Sequence, residues 1–233
     1  MLPKPLSDKL NKGLIVSCQT GENPEFDSPE LMSRFARAAV NGGACAIRSE
    51  GVAVIQAIKD IVDVPVIGIM KGYYPDGSVR ITRTLEELHA LTDLCVDMIA
   101  VDATPRLWDS LSGPAWIKKI KTLTHIPIMA DISTLEEGIQ AEEAGADVIS
   151  TTLGGYTPET LAYKTPGPDY ELLDLLIHTV NIPVIAEGRF NTPEAAGRAL
   201  ELGAYAVVVG SAITRPQMIT RWFVDAIKGK GAK

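Results

Sequence analysis

Eight short runs of apolar residues, rich in Val and Ile, recur along the 233 residues of the chain. Each run is continuous and does not alternate with polar residues, which is typical of parallel strands that are covered on both faces. A half-exposed strand would show a period of two. The predicted strands are residues 14–18, 44–48, 66–70, 97–101, 127–130, 147–150, 184–187 and 205–209.

The stretches between the runs carry repeated signals for the start and end of a helix. Ser or Thr, often followed by Pro and Glu, opens the segments SPEL, TLEE, TLEE, TPET and TPEA at 28–31, 84–87, 134–137, 157–160 and 192–195. Such residues cap helix N-termini, and Thr84 with Glu87 and Thr134 with Glu137 fit the capping box. A glycine precedes several of the next runs, as a helix C-cap does.

A unit of strand, loop, helix and glycine turn therefore repeats through the chain. Eight such units without a long linker or a change of composition predict the α/β class and a (β/α)8 TIM barrel. We expect a single domain over residues 1–233, with residues 1–12 as a short N-terminal extension. An open, doubly wound sheet is the structural alternative.

Composition excludes several classes of function. A net charge of −7 disfavours a nucleic-acid-binding protein, because phosphate binding needs excess Lys and Arg. No run approaches the ~18 apolar residues of a membrane helix, and the N-terminus has no apolar signal segment. The three cysteines lie in or beside apolar runs without metal-ligand spacing, which indicates a reduced, cytoplasmic protein. The three histidines share no ligand spacing either, so we expect no metal.

Polar residues or glycines follow every predicted strand. The active site of a (β/α)8 barrel lies at the C-terminal ends of its strands, so these residues are the candidates for chemistry. Unpaired charge directly after a buried run is costly, which favours a ring of charges around one mouth over separate solvated ends. The candidates are Gln19, Arg48, Lys71, Asp102, Asp131, Thr151 with Thr152, Glu187 with Gly188 and Arg189, and Gly210 with Ser211.

Lys71, directly after VIGIM, admits two roles. Burial and a nearby Arg48 would favour the neutral amine, which could act as a general base. Alternatively, Lys71 is a cation that only pairs with a carboxylate such as Asp131 or Glu187. The residues themselves leave both roles open.

The loops after the seventh and eighth predicted strands indicate a phosphate site. This fold commonly binds a phosphate there, against the N-terminus of a short extra helix. Gly188 and Gly210 would allow close backbone approach, Ser211 offers a hydroxyl, Arg215 a charge, and Arg189 helps to shape this end. The alternative is that Gly210 only makes a tight turn and Arg215 lies on a surface helix.

Eight stretches together resemble the N-acetylmannosamine-6-phosphate 2-epimerase family of sialic-acid catabolism. They are GLIVSCQ (13–19), AIRSEGV (46–52), PVIGIMK (65–71), VRITRT (79–84), MADISTLEEG (129–138), STTLGGYT (150–157), VIAEGRFNTPE (184–194) and VVGSAITRP (208–216). They cover nearly the whole chain. One departure follows Lys71, where the family usually has a basic residue and this chain has Gly72, Tyr73 and Tyr74, in a 72–77 loop that could be a lid or a turn.

The resemblance implies a TIM barrel that interconverts N-acetyl-D-mannosamine 6-phosphate and N-acetyl-D-glucosamine 6-phosphate without cofactor or metal. It implies Lys71 as the base at C2 with Glu187 as its partner, and a role in binding substrate for Gln19, Arg48, Asp131 and Arg215. Thr152 joins this predicted substrate-binding set. One lysine serving both faces and a Lys71/Glu187 pair both fit the sequence.

Two other functions stay open at this point. An aldolase or lyase of the same fold would use Lys71 to form a Schiff base with a keto acid. A sensor would bind a phosphosugar without turnover. We further expect a homodimer, since barrels of this size often pair.

Overall fold

Eight parallel strands close into a barrel in the computed structural model of the chain, which describes residues 2–20, 26 and 28–229. The first strand, β1 (Leu14–Cys18), pairs with both β2 (Ala46–Glu50) and β10 (Ala206–Val209), so the sheet has no free edge and the alternative of an open sheet is wrong. The barrel strands are β1 (Leu14–Cys18), β2 (Ala46–Glu50), β3 (Val66–Ile69), β6 (Met98–Asp102), β7 (Ile128–Asp131), β8 (Val148–Ser150), β9 (Val184–Glu187) and β10 (Ala206–Val209). This confirms the predicted TIM barrel.

Helices follow the strands and cover the outside of the barrel. The two predicted capping boxes are present, because Thr84 and Thr134 each accept from the backbone N–H of the glutamate three residues on, and that glutamate returns the bond. The helices are α1 (Lys4–Leu10), α2 (Pro29–Asn41), α3 (Val52–Lys59), α4 (Leu85–Asp93), α5 (Gly113–Ile120), α6 (Leu135–Glu143), α7 (Tyr170–Thr179), α8 (Pro193–Leu202), α9 (Ser211–Thr214) and α10 (Pro216–Ile227).

The prediction of a helix start at TPET, residues 157–160, is wrong. A turn and a short 3-10 helix, Leu161–Tyr163, occupy this segment. The segment TPGP at 165–168 cannot continue a helix, because proline lacks the N–H donor and glycine is a poor helix former. α7 begins only at Tyr170, where the Asp169 side chain accepts from the backbone N–H of Leu172.

Side chains alternate between the barrel interior and the layer under the helices. In β1, Ile15 belongs to the interior cluster, whereas Val16 packs in the outer layer. The same alternation places Met129 inside and Ala130 outside. Residues two positions beyond an interior side chain therefore also point inward, and at the C-terminal ends of the strands these are polar.

α1 packs against the opposite, N-terminal end of the barrel. Its residues Leu6 and Leu10 belong to the same apolar cluster as the barrel interior. The Tyr205 hydroxyl, next to the start of β10, donates to the Ser7 carbonyl at 2.7 Å. The segment predicted as an N-terminal extension thus includes a helix that closes this end, while single-domain organisation stays a prediction.

A two-stranded antiparallel hairpin interrupts the strand and helix repeat after β3. It consists of β4 (Lys71–Tyr73) and β5 (Val79–Ile81), and Lys71 pairs with Ile81. The segment 72–77, predicted to be a lid or a turn, therefore includes part of a strand and the connection to the next.

Candidate active site

A cavity of about 500 Å³ lies at the C-terminal ends of the strands. Its size suits a small, polar ligand. The predicted site residues that line it are Gln19, Arg48, Lys71, Thr152, Glu187, Gly188, Arg189, Gly210, Ser211 and Arg215.

Arg48 is the central charge of the cavity floor. Its side chain is 1% exposed and forms two hydrogen bonds with Asp131, from Nη1 to Oδ1 at 3.0 Å and from Nη2 to Oδ2 at 2.6 Å. Nη1 also lies 3.0 Å from Oε2 of Glu187. One guanidinium thus holds two carboxyl groups, which fixes both side chains.

Asp131, which the resemblance predicts to bind substrate, lies beneath the cavity floor. Its side chain is 0% exposed and it does not line the cavity. Both oxygens are occupied, by Arg48 and by the Thr152 hydroxyl, which donates to Oδ1 at 2.7 Å. These bonds fix the side chains of Arg48 and Thr152, which do line the cavity.

Two hydroxyls connect the carboxylates. Thr152 Oγ1 lies 3.0 Å from Oε2 of Glu187 as well as within reach of Asp131. Ser150 Oγ lies 2.9 Å from Thr152 Oγ1 and 3.4 Å from the same Glu187 oxygen. A hydroxyl has one proton to donate, so Thr152 can donate to only one of the two carboxylates at a time.

Burial raises the pKa of the Glu187 carboxyl above its ordinary value. The Arg48 cation opposes this effect, whereas the nearby Asp131 anion adds to it. A carboxyl group with a raised pKa retains its proton more readily and can therefore serve as a general acid.

Lys71 pairs with a carboxylate other than the two named as examples from the sequence. Its ammonium lies 3.1 Å from Oε2 of Glu50, at the end of β2, and this ion pair is about three-quarters buried. The predicted partners Asp131 and Glu187 instead bind Arg48. The pair with Glu50 places the amine on the wall of the cavity, where it is partly exposed.

The phosphate end of the cavity is built by loops with unusual backbone. Gly188 has φ +107° and Arg189 has φ +61°, a region that L side chains rarely adopt. Arg189 donates from Nε to the Gly167 carbonyl and from Nη1 to the Gly154 carbonyl, both at 2.7 Å. It therefore connects the loop after β9 to the loop after β8 at the cavity edge. The short helix predicted after the last strand is α9, which begins at Ser211.

A family model of N-acetylmannosamine-6-phosphate epimerases, a description that is itself provisional, matches residues 32–229. The chain belongs to this epimerase family. A relative from Caldanaerobacter subterraneus subsp. tengcongensis, provisionally named an N-acetylmannosamine-6-phosphate 2-epimerase, is 51% identical over 94% of this chain and 93% of its own. A relative with the same name from Clostridioides difficile is 46% identical over 95% of this chain and 98% of its own.

Solved structures agree with this membership. The N-acetylmannosamine-6-phosphate 2-epimerase from Clostridium perfringens has a TM-score of 0.88 and 47% identity, covering 94% of this chain and 95% of its own. A thiamine phosphate pyrophosphorylase from Pyrococcus furiosus has a TM-score of 0.60 at 19% identity, covering 93% of each chain, which shows a shared fold alone.

The strand-end pattern missed several cavity or partner residues, among them Ser17, Ser150 and Glu50. Ser17 and Ser150 lie inside strands rather than after them, and Glu50 lies two residues beyond Arg48. Ser17 accepts from the Gln19 amide at 2.6 Å. The inward alternation along β1, β2 and β8 is the signal that could have found all three, since each lies two positions from a predicted site residue.

Over residues 2–20, 26 and 28–229, no group of three or more His, Cys, Asp or Glu side chains is arranged to hold a metal ion. Within the same ranges, no helix is both long and apolar enough to span a membrane.

Proposed function

We propose that this protein interconverts N-acetyl-D-mannosamine 6-phosphate and N-acetyl-D-glucosamine 6-phosphate by removing and returning the proton at C2. The observation that carries this proposal is that Lys71 and Glu187, a candidate base and a candidate acid, line the same cavity. The names of relatives that are about half identical over nearly the whole chain support the same substrate.

Lys71 takes the C2 proton of the open-chain sugar. The C–H bond breaks, its electron pair forms the enolate with the C1 aldehyde, and a proton returns to C2 on the opposite face. The amine must be neutral for this step, so its ion pair with Glu50 has to yield when substrate binds. The reacting groups are all side chains, and no redox cofactor is needed.

Glu187 serves as the acid, either in ring opening or in the return of the proton to C2. Its raised pKa supports this role, because the group must carry a proton at the start of the step. Arg48 stabilises the negative charge that develops on the substrate oxygen. Whether Lys71 serves both faces or shares the work with Glu187 decides between one and two bases.

The remaining predicted residues would bind the substrate away from C2. Gln19 and Thr152 offer an amide and a hydroxyl to the sugar and the acetamido group. The loops that contain Gly188, Arg189, Gly210 and Ser211, together with Arg215, would hold the 6-phosphate. Glycine at 210 suits this role, since a Cβ there would lie 3.3 Å from Ser17 and crowd the cavity wall.

The decisive experiment is NMR of N-acetylmannosamine 6-phosphate with the enzyme in D2O, which reports product identity and C2 exchange together. Lys71→Ala should lower both turnover and deuterium incorporation by about 10²- to 10⁴-fold. Lys118→Ala, which changes an exposed lysine on α5, should behave as wild type. An active Lys71→Ala enzyme would remove the lysine from the mechanism, and borohydride trapping of an adduct on Lys71 would favour an aldolase instead.

We also propose a cytoplasmic homodimer. The three cysteines carry no disulfide, which suits a reducing compartment. α10 buries none of its residues in the monomer and exposes Phe223 and Ile227, which supports contact with a second copy.

A further inference from the structure

The hairpin that begins with Lys71 is held at its base by a strained residue. Thr82, directly after β5, has φ +46° and is fully buried. This region is unfavourable for a β-branched residue, and such strain persists only where the surroundings enforce it. Strained backbone of this kind is concentrated at functional sites, so its position next to Lys71 needs an explanation.

The bonds of Thr82 converge on the residue before Lys71. Its backbone N–H donates to the Met70 carbonyl at 2.8 Å, and its Oγ1 accepts from the Met70 N–H at 3.0 Å. The Trp116 indole N–H donates to the Thr82 carbonyl at 2.8 Å. Met70 is thus bound on both polar backbone atoms by one residue, which is itself fixed by α5.

Arg106 and Asp102 fix the other end of the hairpin. Arg106 donates from Nη2 to Asp102 Oδ2 at 2.8 Å and from Nη1 to Ser78 Oγ at 2.9 Å. Its guanidinium also lies 4.3 Å above the Tyr74 ring, and the Tyr74 hydroxyl donates to the same Asp102 oxygen at 3.2 Å. Arg106 therefore contacts both sides of the β4–β5 connection and the carboxylate beneath it.

Asp102 lies at a strand end like the active-site carboxylates but does not line the cavity. Its oxygens accept from Thr104, Tyr74 and Arg106. Since no oxygen of this fully buried group faces the substrate cavity, its role is to anchor the hairpin.

We infer that the β4–β5 hairpin holds the backbone of Lys71 in a fixed position, and that Thr82 and Arg106 are positioning residues for this base. The inference rests on the proposed role of Lys71. A lysine has a long, flexible side chain, so the placement of its Cα limits where the amine can reach C2. The bonds from Thr82 to Met70 fix the backbone one residue before Lys71. The contact of Arg106 with Tyr74 fixes it three residues after Lys71, so the Cα between them is held in place.

The test compares Arg106→Gln and Tyr74→Phe with wild type in kcat, KM and C2 deuterium exchange. We expect kcat and exchange to fall together by about 10- to 100-fold, with KM within about twofold, because the base is displaced while the substrate contacts remain. Arg34→Gln, the same chemical change at an exposed ion pair with Glu30 on α2, should match wild type.

Thr82→Gly separates positioning from stability. Glycine accepts the positive φ, so the relief of strain offsets part of the cost of the lost side chain and its Oγ1 bond, and the variant should fold with an unchanged KM while kcat falls. Tyr74→Phe removes one oxygen and keeps the ring, so it remains informative if Arg106→Gln does not fold. If Lys71→Ala is inactive but all soluble hairpin variants keep wild-type kcat, the positioning role is overturned. If Lys71→Ala is active, the proposed function itself fails.

Discussion

The chemistry of this site depends on which carboxylate each cation binds. Arg48 binds Asp131 and Glu187 on the cavity floor, and Lys71 binds Glu50 on the wall. That division suits a reaction in which one group must stabilise an anion and another must accept a proton.

Glu187→Gln should stabilise the fold at neutral and alkaline pH. Because burial raises the pKa of Glu187, the folded state binds its proton more tightly than the unfolded state does. This contribution favours the folded state fully below the unfolded pKa of about 4.3 and is lost as pH rises through the higher folded pKa. Glutamine keeps the shape without the charge, and Arg48 keeps Asp131 as its partner.

Thermal unfolding of wild type and Glu187→Gln across a pH series checks this expectation. The variant should unfold at a higher temperature than wild type at pH 8, and the difference should shrink toward pH 4. A difference in unfolding temperature that stays constant with pH, or one of opposite sign, would contradict the proposed cost of the buried carboxylate. The variant should also lose epimerase activity.

The strand ends could be found from the sequence, but the pairings between their side chains could not. A buried run followed by Arg48, Lys71 or Glu187 is a local pattern that any barrel places at one mouth. Whether Lys71 reaches Glu50 or Asp131 depends on side-chain direction and on the hairpin, which are tertiary features. The inward alternation would have identified Glu50 as a candidate, though not as the partner.

At the scale of elements, the sequence predicts a helix correctly where an N-cap residue precedes apolar residues at helical spacing. The prediction fails where a loop begins with the same capping residues. Thr84 and Thr134 make the expected capping boxes. The TPET segment makes the corresponding capping bond, from the Thr160 N–H to Thr157 Oγ1 at 3.3 Å, but only a turn and a short 3-10 helix follow it. The β4–β5 hairpin was missed because only three residues on each side pair.

Thr84→Ala should destabilise the fold by about 1 kcal/mol, because α4 loses the side-chain acceptor for the Glu87 N–H. Urea unfolding measures this free energy. Thr92→Ala offers a comparison at the other end of the same helix, since the Thr92 hydroxyl donates to the Leu88 carbonyl within the last turn and its loss should cost less. Equal losses of unfolding free energy in the two variants would show that the N-cap bond is not the source of the effect.

At the scale of the whole molecule, closure of the barrel follows from the number and continuity of the apolar runs. Eight runs with helices between them leave no unpaired edge when β1 meets β10. Each predicted strand overlaps an observed one, and the bounds differ by two residues or fewer. The packing of α1 on the N-terminal end was not foreseen, because seven residues carry too short an apolar pattern to assign a partner.

The proposed homodimer is tested by sedimentation velocity of wild type and Phe223→Asp. Phe223 is 68% exposed and Ile227 is 83% exposed on α10, so wild type should sediment as a dimer and a charge at 223 should yield monomer. Leu123→Asp, at an exposed leucine after α5, serves as the control and should stay dimeric. A monomeric wild type would refute the assignment of this helix as an interface.

α1 covers the N-terminal end of the barrel, so within the described part of the chain the cavity has its opening at the C-terminal ends of the strands. The starting sugar and its epimer must pass through it in turn, in either direction of the reaction. The two sugars therefore compete for entry, and the net direction of the reaction follows whichever sugar the cell removes.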